Sequence, residues 1–257
     1  MRSSFAVLLF GILLPAFGAS GQPPASTNAV PESPTPEARH WKPLYFSLLI
    51  DEDQKWMAPT EPFDVWGLAV GPVLTGIQGT MAGVSVSGLA TAVEDRFFGI
   101  GVAGLAHFGR TGYGVQASFG GNAFQNFHSI QLAGMGNCAS GGGIQLALGF
   151  NETDDCFNLG DKFRNDGRTS EWTGLQLAGI NNRACFLDGV QASLCYNYAF
   201  RCRGIQLAAW NEADELYGIQ VGLINEAHSG AGVQIGLFNV FGESDDRLLL
   251  PVVNARF

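Results

Sequence analysis

The chain has few charged side chains, and basic ones are the scarcest. Only 14 % of its 257 residues are charged, with 14 Lys and Arg against 23 Asp and Glu. The resulting formal charge of −9 argues against a nucleic-acid partner, because phosphate binding needs a basic surface.

Side chains that commonly carry catalysis are also scarce. The four histidines share no spacing typical of a metal site or an activated nucleophile; they are His40, His107, His128 and His228. Residues 99–104 fit the pattern GxGxxG, but a repeated strand pattern follows where a dinucleotide site needs a helix. We therefore predict that the protein is not an enzyme and has no catalytic, cofactor-binding or metal-binding residues.

Long apolar runs are absent except at the N-terminus. Arg2 precedes an apolar run over residues 5–17, and the small residues 18–20 follow it, which predicts a secretory signal peptide over residues 1–20. No later run reaches the 18 apolar residues of a membrane-spanning helix. Residues 21–43 are rich in proline and poor in large apolar side chains, so they are predicted to form a disordered tether.

Glycine is abundant, with 35 residues. Many of these glycines open a short repeated sequence motif, such as GIQLAAWN at Gly204, which we call the word. Clear copies begin at Gly114, Ser129, Gly143, Gly174, Gly189, Gly204, Gly218 and Gly232, and poorer copies begin at Gly67, Gly83 and Gly99. Neighbouring copies are 14 to 16 residues apart, except for one step of 31. Self-similarity at a short fixed period predicts a repeat architecture for residues 44–257.

Each clear copy has the alternation of a β-strand. Its third residue is always glutamine, its fifth is always small, and an asparagine follows at the eighth or ninth place. The second, fourth and sixth places are mostly apolar, and a period of two places them on one face of a strand. The glutamines are Gln116, Gln131, Gln145, Gln176, Gln191, Gln206, Gln220 and Gln234.

One architecture that hides the apolar faces is an outer-membrane antiparallel β-barrel of about 14 strands, with lipid around it. An even strand number requires a decayed repeat within residues 151–172, which otherwise read as a polar insertion. The terminal Phe257 would then be the signal that the barrel-assembly machinery recognises, and the partners would be this machinery and outer-membrane lipid. The barrel is the main prediction.

The alternative is a β-solenoid with one repeat in each coil. All words have the same order along the chain, from glycine to asparagine, and this shared phase favours the solenoid. Neighbouring strands of a barrel point in opposite directions, so their sequence patterns should differ. In this alternative the apolar residues point inward, and the glutamines stack outside as a Gln/Asn face that binds a partner.

The words G-[VIL]-Q-x-[GAS]-x-x-N and the closing LPVVNARF resemble the bacterial surface repeat-containing proteins. The resemblance covers residues 44–257, although Gln is missing at Ser85 and Gly101. It implies an exported protein of a Gram-negative envelope, in the outer membrane or at the cell surface, and it implies no activity. The expected function is a non-enzymatic barrel, structural or channel-forming, or else a partner-binding solenoid; the identity of a ligand or protein partner is left open.

Five cysteines follow the first copies of the word: Cys138, Cys156, Cys185, Cys195 and Cys202. Export would place them in an oxidising compartment, where pairing is expected. A disulfide between Cys185 and Cys202, in consecutive connectors, would exclude a simple barrel, because those connectors lie on opposite sides of a membrane.

Overall fold

The computed structural model describes residues 40–46, 63–153, 171–242 and 248–257. These all fall within the unit Ala38–Phe257. The predicted signal peptide, most of the predicted tether and most of residues 151–172 lie outside the described residues. Within the described ranges, no helix is long and apolar enough to cross a membrane.

Strands account for 85 % of the described residues, and these residues include no helix. The first strand begins at His40, four residues before the predicted start of the repeats. The strands are β1 (His40–Phe46), β2 (Phe63–Gly71), β3 (Leu74–Ile77), β4 (Met81–Ser87), β5 (Ala90–Ala103), β6 (Ala106–Ser118), β7 (Gly121–Ala133), β8 (Gly136–Ala147), β9 (Phe150–Glu152), β10 (Glu171–Ala178), β11 (Asn181–Ser193), β12 (Tyr196–Leu207), β13 (Trp210–Val221), β14 (Ile224–Phe241) and β15 (Leu248–Arg256).

Parallel pairing of like words makes the chain a β-solenoid of about ten turns. In β12 and β13, Gly204 pairs with Gly218 and Gln206 with Gln220, and the same register holds along the described repeats. Among the described strands, β15 is the one that pairs antiparallel, and it covers β14 at the end of the solenoid.

The prediction of an antiparallel barrel is wrong. The described sheet has two ends, β1 and β15, and its neighbouring strands from β1 to β14 run in the same direction. The physical reason is the phase of the words, because a parallel stack keeps each residue type beside its own kind in every turn.

The step of 31 residues contains no additional turn among the described strands. Gln176 of β10 pairs directly with Gln145 of β8. The short strand β9 contacts both β8 and β11, and the chain rejoins the same turn at Glu171. Residues 154–170, between β9 and β10, lie outside the described residues.

Each turn consists of two opposed segments. The register skips one residue per turn, as at Phe200 and Asp214 in β12 and β13, and this skip marks one corner. A dipeptide after the fifth residue of the word makes the other corner. Hydrogen bonds cross the narrow interior between the segments, for example from Asn211 Nδ2 to Val221 O at 2.9 Å.

The glycine that opens each word is required by close approach between turns. Gly204 has φ +144°, and a Cβ built on it would lie 1.9 Å from the carbonyl oxygen of Gly189. Gly218 would meet Gly204 O at 2.0 Å in the same way. Ser129 occupies this row with φ +126°, a conformation that side chains rarely adopt.

The apolar core lies mainly beside the skipped corner, and large residues alternate there with small ones. Phe127 stacks between Gly112 and Gly141 in adjacent turns, and a Cβ on Gly112 would lie 2.5 Å from the Phe127 ring. Trp172 is fully buried in the next turn of this row. Large residues therefore occupy space that neighbouring glycines leave.

The cysteines have separate roles. Cys202 is buried in the core row, where burial raises the pKa of its thiol to about 12 and keeps it unreactive. Cys195 and Cys202 are free thiols, so a Cys185–Cys202 bond does not form. Cys138 is disulfide-bonded.

Replacement of Gly204 by Ala should lower the free energy of unfolding by about 2–4 kcal/mol, because the new Cβ meets a backbone oxygen and the backbone is strained. Ser129→Gly should do the reverse and raise it by about 1 kcal/mol, since it removes a side chain from a left-handed position. Urea unfolding monitored by circular dichroism measures both. If Gly204→Ala and Ser129→Gly changed the free energy of unfolding equally and in the same direction, the close packing of the glycine row would be contradicted.

Candidate interaction surface

The eight repeated glutamines form one hydrogen-bonded ladder inside the solenoid. Each of these side chains has 0 % of its surface exposed. From Gln131 onward, each Nε2 donates to Oε1 of the glutamine in the preceding turn, over 2.8–3.4 Å. The ladder contains Gln116, Gln131, Gln145, Gln176, Gln191, Gln206, Gln220 and Gln234.

Several glutamines also use their second amide hydrogen across the interior. Gln220 Nε2 donates to Glu226 O at 3.2 Å, and Gln234 Nε2 donates to Val240 O at 3.0 Å. Each of these amides thus satisfies a neighbour in its own row and the backbone opposite. Buried amides with such partners carry little of the cost that an unpaired polar group would have.

A second ladder is built from asparagines. From Asn122 to Asn225, the Nδ2 of each donates to Oδ1 of the asparagine in the following turn, over 2.8–3.0 Å. This direction is opposite to that of the glutamine ladder, so the two rows of amide dipoles oppose one another. The members are Asn122, Asn137, Asn151, Asn182, Asn197, Asn211, Asn225 and Asn239.

The asparagine ladder explains why the fifth place of the word is small. A Cβ on Gly222 would lie 2.7 Å from Asn211 Nδ2, and one on Gly236 would lie 2.6 Å from Asn225 Nδ2. A larger fifth residue would displace the amide from its neighbours. At these two turns glycine leaves it in place, whereas alanine or serine occupies the fifth place in other turns, as at Ala178 and Ser193.

Both ladders begin at Gln116 and Asn122, one turn after the turn that contains Gly101 and His107. Gly101 stands in the glutamine row there, and His107 stands in the asparagine row. A Cβ on Gly101 would lie 2.8 Å from His107 Cε1 and 3.1 Å from Phe97 Cζ, so the imidazole fills the space of the missing glutamine. In the described part of the chain, Gln116 Nε2, Asn122 Oδ1 and His107 Nε2 are buried without a hydrogen-bond partner.

His107 is buried as a neutral ring. Desolvation lowers its pKa to about 4, although hydrogen bonds to the backbone of Ala117 and Gly101 act in the opposite direction. Below the unfolded pKa of about 6.5 the unfolded chain binds a proton that the folded chain refuses. The histidine therefore stabilises the fold above pH 6.5, and up to about 3 kcal/mol of this is lost as the pH falls to about 4.

With the amides inside, the apolar residues of the words point outward. We call the second- and fourth-place residues of all words, from Leu68 to Ile235, the apolar face. None of them is buried, and the exposed fractions of Ile219 and Val221 are 39 % and 37 %. Ile219 and Val221 lie on one face of β13, as predicted, but that face points away from the interior, and Leu223 lies in the corner that follows the strand.

This geometry corrects the partner-binding surface expected for a solenoid. The expected Gln/Asn face is internal and cannot contact a partner. The sequence reasoning missed the apolar face as a binding surface, because it assigned apolar side chains to the interior. The alternation of the words identified which residues share each face and left open which face is outside.

The opposite face of the last turns satisfies its own polar groups. Tyr196 donates to Glu212 at 2.7 Å and Tyr198 donates to Asp214 at 3.0 Å. Burial and these carboxylates raise the pKa of both phenols above the ordinary value. This face therefore offers paired groups, whereas the apolar face has its side chains exposed.

Two further features of the described residues bear on a candidate site. The described residues contain no group of three or more His, Cys, Asp or Glu side chains that could hold a metal ion. Phe257, the predicted assembly signal, lies beyond β15 with 98 % of its surface exposed and belongs to neither ladder. The apolar face is thus the candidate functional surface.

The start of the ladders can be tested with a double-mutant cycle at Gly101 and His107. His107→Asn alone should leave a cavity, and Gly101→Gln alone should clash with the imidazole, so each should lower the free energy of unfolding. The double variant extends both ladders by one turn and should recover at least about 1–2 kcal/mol of the summed loss. Urea unfolding at pH 7.5 gives the three values.

The same variants test the acid sensitivity. His107→Asn should remove the part of the stability loss between pH 6.5 and pH 4 that His107 causes. Additive effects in the cycle, or an unchanged acid dependence, would contradict the assignment of His107 as the cap of the ladders.

Comparison of the chain with family models, with curated proteins and with solved structures gives no match. The resemblance to surface repeat-containing proteins therefore remains a prediction. The geometry of the solenoid is the remaining guide to function. Its amides are enclosed, and the apolar residues of the words form an outer face.

Proposed function

We propose that the protein is an exported, non-enzymatic interaction scaffold of the bacterial cell surface, and that its apolar face docks against another apolar surface. The solenoid supplies a rigid frame, and the repeated second- and fourth-place residues supply the contact. This replaces the channel-forming barrel and the Gln/Asn binding face as the functional hypothesis.

One observation carries the proposal: the second- and fourth-place side chains of successive turns are exposed in continuous rows. Turns repeat about every 4.8 Å, so ten turns extend the rows over about 50 Å. A monomeric soluble protein rarely exposes an apolar patch larger than a few hundred Å², and larger patches mark interaction sites.

The proposed location at the cell surface is supported by the sequence pattern of the N-terminus and by the family resemblance. An acidic chain with an apolar leader and a proline-rich segment fits a protein that is exported and held at the surface by a tether. Its net charge of −9 disfavours nucleic acid and the anionic lipid surface as partners.

The proposal predicts that the apolar face is covered when the protein is in its native envelope. Ile219→Cys (apolar face) and Gln125→Cys (exposed, outside the words) can be compared in a Cys185→Ser/Cys195→Ser background, in which Cys202 remains but is buried. Ile219→Cys should react with a maleimide at least about tenfold more slowly than Gln125→Cys in isolated envelopes, since a covered site reacts only when the contact opens.

A matched measurement on the purified, highly diluted protein serves as the control, and the two cysteines should then react at similar rates. Equal reactivity of both positions in isolated envelopes would show an uncovered face and would refute the proposed function.

A further inference from the structure

The corner after the fifth place of the word alternates between a bulky and a bare residue. The sixth-place residues of six successive turns are, in order, Gly104, Phe119, Gly134, Leu148, Gly179 and Leu194. We call the three bulky residues knobs and the three glycines gaps. The exposed fractions of the knobs Phe119, Leu148 and Leu194 are 82 %, 78 % and 75 %.

The gaps are fixed by the backbone. A Cβ on Gly134 would lie 2.0 Å from the carbonyl oxygen of Phe119, and one on Gly179 would lie 2.0 Å from that of Leu148. A side chain cannot fill these positions without moving a turn. Knobs are therefore about 10 Å apart along the edge, which is two strand spacings, with a gap between each pair.

An apolar groove runs along five turns, from Val102 to Ala178, and passes between the first two knobs. It has a volume of about 580 Å³, and Phe119, Gly134 and Leu148 line it at the corner. Leu132 and Leu146 of the apolar face continue its wall. The groove has the chemistry to accept a knob of the same kind as those beside it.

Two copies of the chain related by a two-fold axis would fit together along this row of knobs and gaps. The axis lies in the apolar face, across its rows, between the turns that carry Gly134 and Leu148. The gap Gly134 then faces the knob Leu148 of a second copy, and every other knob also faces a gap. The remaining pairs are Phe119 with Gly179 and Leu194 with Gly104. An isologous contact of this kind closes as a dimer.

The row that precedes the word's glycine fits the same axis. Phe98, Tyr113 and His128 stack in successive turns, with ring centroids 5.2 Å and 5.3 Å apart. The next three residues of this row are Gly142, Thr173 and Asp188, which are smaller. The axis places His128 opposite Gly142 of the second copy, and the other two rings opposite the other two smaller residues.

The area also matches a dimer. The rows are about 50 Å long. Alternate residues of a strand are about 6.6 Å apart, so the rows with their side chains are about 20 Å wide. The apolar face therefore has an area of about 1,000 Å² per copy. A stable protein interface buries about 800 Å² per partner. A membrane would instead require a positive surface toward anionic lipid, and the chain has 23 acidic against 14 basic residues.

We infer that the partner of the apolar face is a second copy of this chain, in an antiparallel two-fold dimer whose knobs Phe119, Leu148 and Leu194 enter the gaps of the other copy. This inference rests on the proposed function, in which the apolar face is a docking surface, and names what docks there.

The experiment compares the wild type with Leu148→Arg and Phe119→Arg, each in a Cys195→Ser background and purified after export without detergent or thiol reductant, so that the disulfide of Cys138 stays intact. The wild type should sediment as a dimer at micromolar concentration. Each variant should raise the dimer dissociation constant at least about 30-fold, the effect of losing a central side chain. Both positions are exposed, so the circular dichroism spectrum and the midpoint of unfolding should remain those of the wild type.

Gln125→Arg is the control, because it adds the same charge at an exposed position outside the knob row, and its dimer should be unchanged. A monomeric wild type, or a dimer that persists in both knob variants, would overturn the inference. Binding of a monomeric wild type to vesicles of phosphatidylethanolamine and phosphatidylglycerol would also overturn it.

Failure of the dimer does not remove the proposed function, because the cysteine at Ile219 would still report a covered face in the envelope. An uncovered face in the envelope would remove both proposals.

Discussion

Side-chain amides enclosed within each turn are the constraint on which the structure depends. A buried amide needs both donors and its acceptor satisfied, and a narrow coil offers few partners besides the backbone and the next turn. An identical amide one strand spacing away meets this need in every turn, as between Gln206 and Gln220. The word is therefore repeated because each copy provides the hydrogen-bond partner of its neighbours.

The enclosure of amides determines the outer surface. A strand alternates its side chains, so a glutamine that points inward sends Ile219 and Val221 outward. Large apolar side chains of the words thus form rows outside, while the interior behind the words holds the amides; the buried large residues, such as Phe127 and Trp172, lie beside the skipped corner. The same repetition that satisfies the ladders provides a regular apolar face, and variation at the corners, where Phe119 and Leu148 alternate with glycines, gives that face a specific shape.

The sequence allowed prediction of the period, the all-β class and the residues that share a face. It also contained the argument for a solenoid, since words in one phase suit parallel turns. The barrel prediction is wrong because the shared phase of the words determines the architecture, whereas the terminal Phe257 does not. The inside and the outside of the solenoid were exchanged because hydropathy assigns apolar groups to the interior, and only the ladder geometry shows that paired amides can occupy it.

Other features needed the structure. His107 looked like an isolated histidine, and only its position beside Gly101 shows that it fills the space of an absent glutamine. The alternation of Phe119, Gly134 and Leu148 is visible in the sequence, but its meaning depends on the register that aligns these corners. Local patterns indicate faces, whereas contacts between turns decide what each face does.

Hydrogen exchange of the side-chain amides, followed by NMR, tests the central claim most directly. If the ladders are enclosed, the side-chain NH₂ groups of the repeated glutamines and asparagines will exchange as slowly as the backbone amides of the central strands, because both require opening of the solenoid. Exchange of these NH₂ groups at the rate of a free glutamine would place them in solvent and contradict the account.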